Sequence, residues 1–223
     1  EGLGDRAESL TRDAVAIATS ARDATNPEAL VLGSVAPLED CYSPGLAPDA
    51  DTCRREHAQL IDQLVDAGVD LVLVQTMSSA HESLAAAAAA QERAPGNWAI
   101  SFCLAPGEPG MLMDGTPLSR VVPELGSPRF VGINCIAATL LADQVRHLRS
   151  LVDDATPVAA CGNVGYADDE KGWINTDAIE PTIYAELAQS WIEAGAGIVG
   201  GCCGTTPATI RAIRSRWDLQ SNG

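Results

Sequence analysis

Short apolar runs alternate with longer amphipathic stretches along the whole chain. The runs are rich in Val and Ile, the signature of strands buried on both faces of a parallel sheet. They predict strands at Leu30–Ala36, Val69–Thr76, Trp98–Leu104, Phe130–Cys135, Pro157–Asn163 and Ile198–Gly204. Apolar residues at three- and four-residue spacing predict helices over Arg6–Arg22 and Arg54–Ala67. Ser79–Arg93 is dominated by alanine, the best helix former. Thr139–Asp153 and Thr182–Ala194 follow the same plan, and Thr206–Trp217 opens with Pro207 behind an N-cap threonine.

This alternation predicts an α/β fold with a parallel sheet and right-handed crossovers. No linker or shift in composition divides residues 1–223, so one domain is expected. An open doubly wound sheet and a (β/α)8 barrel both satisfy the pattern. The first strand runs into LGSVAP, without the glycine fingerprint of a dinucleotide site, which counts against a Rossmann-type sheet.

Charge narrows the partners. Acidic residues number 30 and basic ones 14, a net charge of −16. Such a surface repels phosphate backbones and anionic lipids, so neither nucleic acid nor a membrane surface is expected as a partner. No apolar run reaches the roughly 20 residues of a membrane span. Lys171 is the only lysine, which fits either a high-GC genome or salt adaptation. The seven cysteines are odd in number and the chain is too large to need disulfide staples, so free thiols and a cytoplasmic location are expected.

Three of those cysteines fall where strands end. Cys135 closes FVGINC, and Cys202 and Cys203 follow IVGG. In parallel α/β folds the C-terminal strand ends form the active face. Three protein ligands with one open position describe a catalytic zinc site, and thiolates suit zinc. Gly200, Gly201 and Gly204 would let the backbone bend so that neighbouring cysteines face one metal. The alternatives are buried structural cysteines or a vicinal disulfide.

GINC at Gly132–Cys135 and GGCCGTTPATIRAI at Gly200–Ile213 resemble the homocysteine S-methyltransferase family. So do GSVAPLEDCY at Gly33–Tyr42, AGVDLVLVQTM at Ala67–Met77 and GNVGY at Gly162–Tyr166. The resemblance runs from about Leu3 to Trp217. It implies a (β/α)8 TIM-type barrel in which Cys135, Cys202 and Cys203 bind Zn2+ and a substrate thiol takes the fourth position. It further implies methyl transfer from a small donor to that thiol, most simply homocysteine giving methionine. The partners would be a small-molecule thiol and a methyl donor; a homo-oligomer is left open.

Two departures bear on that expectation. Only six strands are predicted where the family's barrel has eight, and the first helix resembles the one after the family's second strand, so the first two βα units are expected to be absent from this chain. Gln75 stands where the family carries a glutamate that, as the resemblance implies, binds the homocysteine amino group. A neutral amide loses the charge-assisted part of that bond. Asn134, Asn163 and Gly165 complete the expected substrate-binding set. Tyr166 and Trp173 flank the acidic loop Asp168–Lys171, as lid packing or as aromatic faces for a cationic donor. His57, His81 and His147 fall on predicted helices and read as surface or packing residues; Cys41, Cys53 and Cys103 read as structural, and Cys161 as a neighbour of the metal. Competing readings are a catalytically silent or regulatory zinc-binding homologue, and a homocysteine module of a larger cobalamin-dependent enzyme.

Overall fold

The computed structural model describes residues 4–168 and 170–221. Helix α1 (Ala7–Thr25) leads to strand β1 (Leu32–Val35), α2 (Ala50–Asp66), β2 (Leu71–Met77), α3 (Ala80–Arg93) and β3 (Trp98–Phe102). A short α4 (Leu118–Val121) precedes β4 (Val131–Ala137), α5 (Leu141–Arg149) and β5 (Val158–Asn163). A hairpin of β6 (Gly165–Asp168) and β7 (Gly172–Asn175) follows, then α6 (Pro181–Glu193), β8 (Ile198–Gly201) and α7 (Pro207–Ser221).

Six of the strands form one sheet in the order β1-β2-β3-β4-β5-β8, and every pairing is parallel. That order settles the alternative left by the pattern. A doubly wound sheet reverses its strand order at a switch point. Here the strands follow the chain without reversal, the arrangement found in the wall of a (β/α) barrel. The central strands β3 and β4 are buried along their whole length, while β1 and β8 form the edges, with Leu32 and Ile198 each 39 % exposed.

Local chemistry sets the elements. Asp49 caps α2 by accepting from the N–H groups of Asp51 and Thr52. Asp114, from the segment after β3, accepts from the Ala80 N–H and so caps α3 from a distance. Pro181 and Pro207 occupy first-turn positions, where a missing N–H costs nothing. Trp98, Phe102, Ile100 and Ile133 fill the core, and Tyr184 and Trp191 of α6 meet edge to face with ring centroids 5.4 Å apart.

All six expected strands and all six expected helices are present, with shifted ends. The helix expected over Thr139–Asp153 stops at Arg149, because Asp153 turns the chain by accepting from the Thr156 N–H and hydroxyl. The expected Asp168–Lys171 loop is the tip of the β6–β7 hairpin, and its Asp169 lies outside the described residues. No helix among the described residues is long and apolar enough to cross a membrane.

Several ion pairs are exposed on both sides, such as Arg54–Glu92 and Arg12–Glu8. Exposed pairs stabilise little, so repulsion within a net charge of −16 dominates surface electrostatics. Thermal stability is expected to rise from low to molar salt as that repulsion is screened. A melting temperature that stays flat or falls over the same range would remove surplus charge as a factor in stability.

Candidate metal centre

The C-terminal ends of β2 and β4 break the regular ladder at matching places. Register shifts fall between Val74 and Met77 and between Asn134 and Ala137. Within those breaks Thr76 has φ +64 and Cys135 φ +63, the left-handed conformation that non-glycine residues avoid. Each such residue costs on the order of 1–3 kcal/mol and persists only where its surroundings hold it.

Asn134 is a principal holder. Buried between the strands, it accepts from the Thr76 N–H at 3.0 Å and the Ser101 hydroxyl at 2.7 Å. Its amide donates to Thr76 Oγ1 at 2.8 Å. A bulge re-aims a side chain, and here the re-aimed residue is Cys135. Its sulfur lies 3.7 Å from that of Cys203, and the sulfurs of Cys135, Cys202 and Cys203 all lie within 4.8 Å of one another.

The Cys202–Cys203 pair is fixed just as closely. The Cys202 N–H donates to the Gly162 carbonyl, and the Val164 N–H to the Cys203 carbonyl. Asn163, at the end of β5, accepts from the Cys203 N–H at 3.0 Å and turns its amide toward the Cys135 sulfur at 4.0 Å. Gly204 has φ +79, and a Cβ there would lie 2.4 Å from Val164. The expected glycine hinge therefore exists at Gly204, while Gly200 sits in the strand facing Cys161.

The donor set suits a soft divalent cation. A tetrahedral thiolate site with bonds of about 2.3 Å has sulfur–sulfur edges of about 3.8 Å, close to the Cys135–Cys203 separation. No histidine or carboxylate joins the three sulfurs among the described residues, which leaves a coordination position for another ligand. Protonation points the same way. Donation from Cys202, then from Cys41, holds the Cys135 thiol far below its ordinary value, to about 2. The hydrogen bond to Cys135 in turn pushes the Cys202 thiol up, and burial raises Cys203. The cluster takes one negative charge readily and resists a second, a resistance that a bound cation would relieve.

Two further cysteines and a tyrosine converge on Cys135. The Tyr42 hydroxyl lies 3.0 Å from the Cys135 carbonyl and 3.3 Å from its sulfur. The Cys103 thiol donates to the same carbonyl at 3.8 Å. Cys41 and Cys103, which read from the sequence as structural, border the cluster. The signal was their position: Cys41 and Tyr42 follow the first strand, and Cys103 directly follows the third, all on the face where strand ends gather. Cys53, by contrast, is buried on α2 with its thiol on the Pro48 carbonyl.

The residues expected to contact substrate divide. Gln75 is half-buried beside the strained Thr76, and its amide donates to Ser34 Oγ at 2.6 Å. Asn134 spends its polar atoms on protein groups, and Asn163 faces the sulfurs. Gly165 is dictated by packing, since a Cβ there would lie 2.1 Å from the Ile174 carbonyl oxygen across the hairpin. Tyr166 and Trp173 sit on that hairpin, half exposed. Beside Cys135 opens a cavity of about 620 Å³, with Tyr42, Met113, Leu140, Asn163 and Tyr166 among its walls. Its size is that of a small-molecule site.

Residues 1–217 match the profile of a family described as homocysteine S-methyltransferase. The chain is 36 % identical to the homocysteine S-methyltransferase of Escherichia coli (strain K12) over 95 % of its own length and 72 % of that protein's. It is 27 % identical to a selenocysteine Se-methyltransferase of Brassica oleracea var. italica over 74 % of its length. That match spans 49 % of the plant protein, and the matches to an Arabidopsis thaliana homocysteine S-methyltransferase and an Astragalus bisulcatus selenocysteine methyltransferase likewise span about half of their lengths. Among solved structures, the apo form of the Escherichia coli homocysteine methyltransferase MmuM superposes with a TM-score of 0.77 at 30 % identity, covering 97 % of this chain and 77 % of that one. The metallated form of the same protein gives 0.77 at 28 % identity, covering 94 % and 70 %.

Proposed function

Because the chain belongs to the homocysteine S-methyltransferase family, we propose that it moves a methyl group from a small cationic donor to a thiol, homocysteine first of all, in a reducing cytoplasm. The observation that carries this reading is the meeting of three cysteine sulfurs at two strand ends, beside a cavity large enough for small substrates. Cys135, Cys202 and Cys203 would hold Zn2+, which when bound supplies the Lewis acidity that keeps an incoming thiol deprotonated at neutral pH. A free thiol, with a pKa of about 8.5, is otherwise mostly protonated there.

The chain's own residues do the rest. Asn134 holds the bulges that aim the Cys135 sulfur, and Asn163 ties Cys203 to β5. Tyr42 covers Cys135 from the cavity side. The cavity walls would exclude water from the thiol and the donor, and transfer is an in-line displacement in which the sulfur lone pair forms the new S–CH3 bond as the donor's bond to that methyl breaks. The in-order sheet with its two exposed edges supports reading the fold as part of a (β/α)8 barrel in a single domain. The direct test is turnover: purified protein supplied with homocysteine and a panel of sulfonium and ammonium methyl donors should give methionine with at least one of them. Methionine formed with none, by protein shown to hold zinc, would contradict the proposal.

Gln75 sets a separate expectation for the thiol. It donates to Ser34 and brings no charge to the site, so homocysteine's ammonium lacks an ionic partner there. Gln75→Glu should tighten homocysteine binding by more than about tenfold, the worth of one charge-assisted hydrogen bond. Unchanged affinity by calorimetry would show that this position does not read the amino group.

A further inference from the structure

A buried acid–base pair lies outside the thiol cluster, between α2 and α3. His57 is fully buried and Glu82 is 2 % exposed, and His57 Nε2 lies 3.1 Å from Glu82 Oε1. His57 Nδ1 has no hydrogen-bond partner. Burying a carboxylate is costly, and an apolar pair of similar volume would serve a helix interface better. The pair therefore calls for an explanation other than the packing of α2 on α3.

The second partner of Glu82 supplies it. The same Oε1 accepts from the Leu38 N–H at 2.8 Å. Burial alone would raise the carboxyl, but the hydrogen bonds from His57 and Leu38 outweigh it and hold Glu82 below the ordinary glutamate value. Leu38 opens the segment 36–49 that links β1 to α2. The far end of that segment is held by the adjacent residue of α3: His81 Nε2 meets the Pro48 carbonyl at 2.9 Å. Inside the segment the backbone bonds are local turns, such as Ser43 N–H to Asp40 and Leu46 N–H to Ser43. Midway between the two anchors stand Cys41 and Tyr42, the residues that reach Cys135.

We propose that Glu82, backed by His57, is a positioning residue: with His81 it latches the segment 36–49 to the first turn of α3, so that Tyr42 stays seated on Cys135 and walls the cavity. Glu82 touches neither the sulfurs nor the cavity and acts through Leu38 alone. Its importance for catalysis rests on the thiol-methyltransferase reading, but the latch itself does not.

Two readouts without turnover test it: hydrogen exchange by mass spectrometry on peptides within 37–48 and 131–137, and the rate of iodoacetamide alkylation at Cys41 and Cys161. In Glu82→Ala, exchange within 37–48 and alkylation of Cys41 should both accelerate at least about tenfold, the worth of a hydrogen bond to a charged group. Exchange in β4 and alkylation of Cys161, partly buried on β5 and away from the segment 36–49, should stay as in the parent. Glu82→Gln keeps an acceptor oxygen for Leu38 and should return both rates most of the way. His81→Ala, at an exposed position, should loosen the same segment a few-fold and decides the matter should Glu82→Ala fold poorly. Unchanged rates at 37–48 and Cys41, equal acceleration across β4, or no recovery with glutamine would each overturn the latch. Absence of methyl transfer in the parent would sink the functional reading and leave the latch standing.

Discussion

Serine at Cys135, Cys202 or Cys203 is expected to strip the protein of its metal and to abolish methyl transfer with it. Each change trades a soft thiolate for a poor ligand. Among the described residues three cysteine sulfurs lie within 4.8 Å of one another, so two of that set would remain. The loss should exceed the roughly 10–100-fold typical of removing an outer-shell partner. Cys53→Ser is the control. Its hydroxyl can keep the bond to the Pro48 carbonyl, and the residue lies on α2 away from the cluster. Metal content and turnover should match the parent. The fold should survive in all four proteins, because the sheet and helices carry a core of their own and do not depend on metal as a small zinc finger does. Metal analysis, circular dichroism and a methionine assay on the same samples check this. Full metal retention in any of the three site variants would contradict the ligand assignment.

Asn134→Ala should cost more stability than any other single change at the site. The side chain makes three short hydrogen bonds, to Thr76 on β2 and Ser101 on β3, both buried, and its amide also points at the Cys202 sulfur at 4.0 Å. Its removal leaves the Thr76 N–H and the Ser101 hydroxyl without those partners, at about 1–3 kcal/mol each. It also frees two strained residues to relax. For a chain of this size a loss of about 2–5 kcal/mol lowers the melting temperature by roughly 5–15 °C. Metal should bind more weakly as Cys135 drifts from Cys203. Asn134→Asp keeps the acceptor oxygen and loses the donor to Thr76 and to the Cys202 sulfur, so it should fall between the parent and Asn134→Ala. A melt within about 1 °C of the parent would show that the bulges hold themselves.

Much of this was legible in the sequence, for physical reasons. Val- and Ile-rich runs such as VDLVLVQT and FVGINC have no face for water, so a parallel sheet was the natural reading. The cysteines at strand ends could be assigned to one face because parallel strands all end on the same side. The order of the strands was not legible, since periodicity records burial and not neighbours. Nor were the bulges: nothing in GINC announces a left-handed Cys135, which arises only when Asn134 reaches past β3 to Thr76 on β2. The place of Tyr42 and Cys103 beside Cys135 was not legible because their partner is a backbone carbonyl 93 and 32 residues away. The strands β6 and β7 on either side of the Asp168–Lys171 loop are not predicted, their alternation spanning only four residues each. From its place on a helix His57 reads as a surface or packing residue; its link through Glu82 to Leu38 needs three segments brought together.

The central claim is that Cys135, Cys202 and Cys203 hold one zinc ion and leave a position for the substrate's sulfur. Zinc-edge X-ray absorption on the protein, before and after adding homocysteine, tests it most directly. The account predicts one zinc per chain with three sulfur neighbours and one lighter atom, changing to four sulfurs when homocysteine is present. A chain that takes up no zinc, or a zinc shell whose sulfur count does not rise with homocysteine, would contradict it.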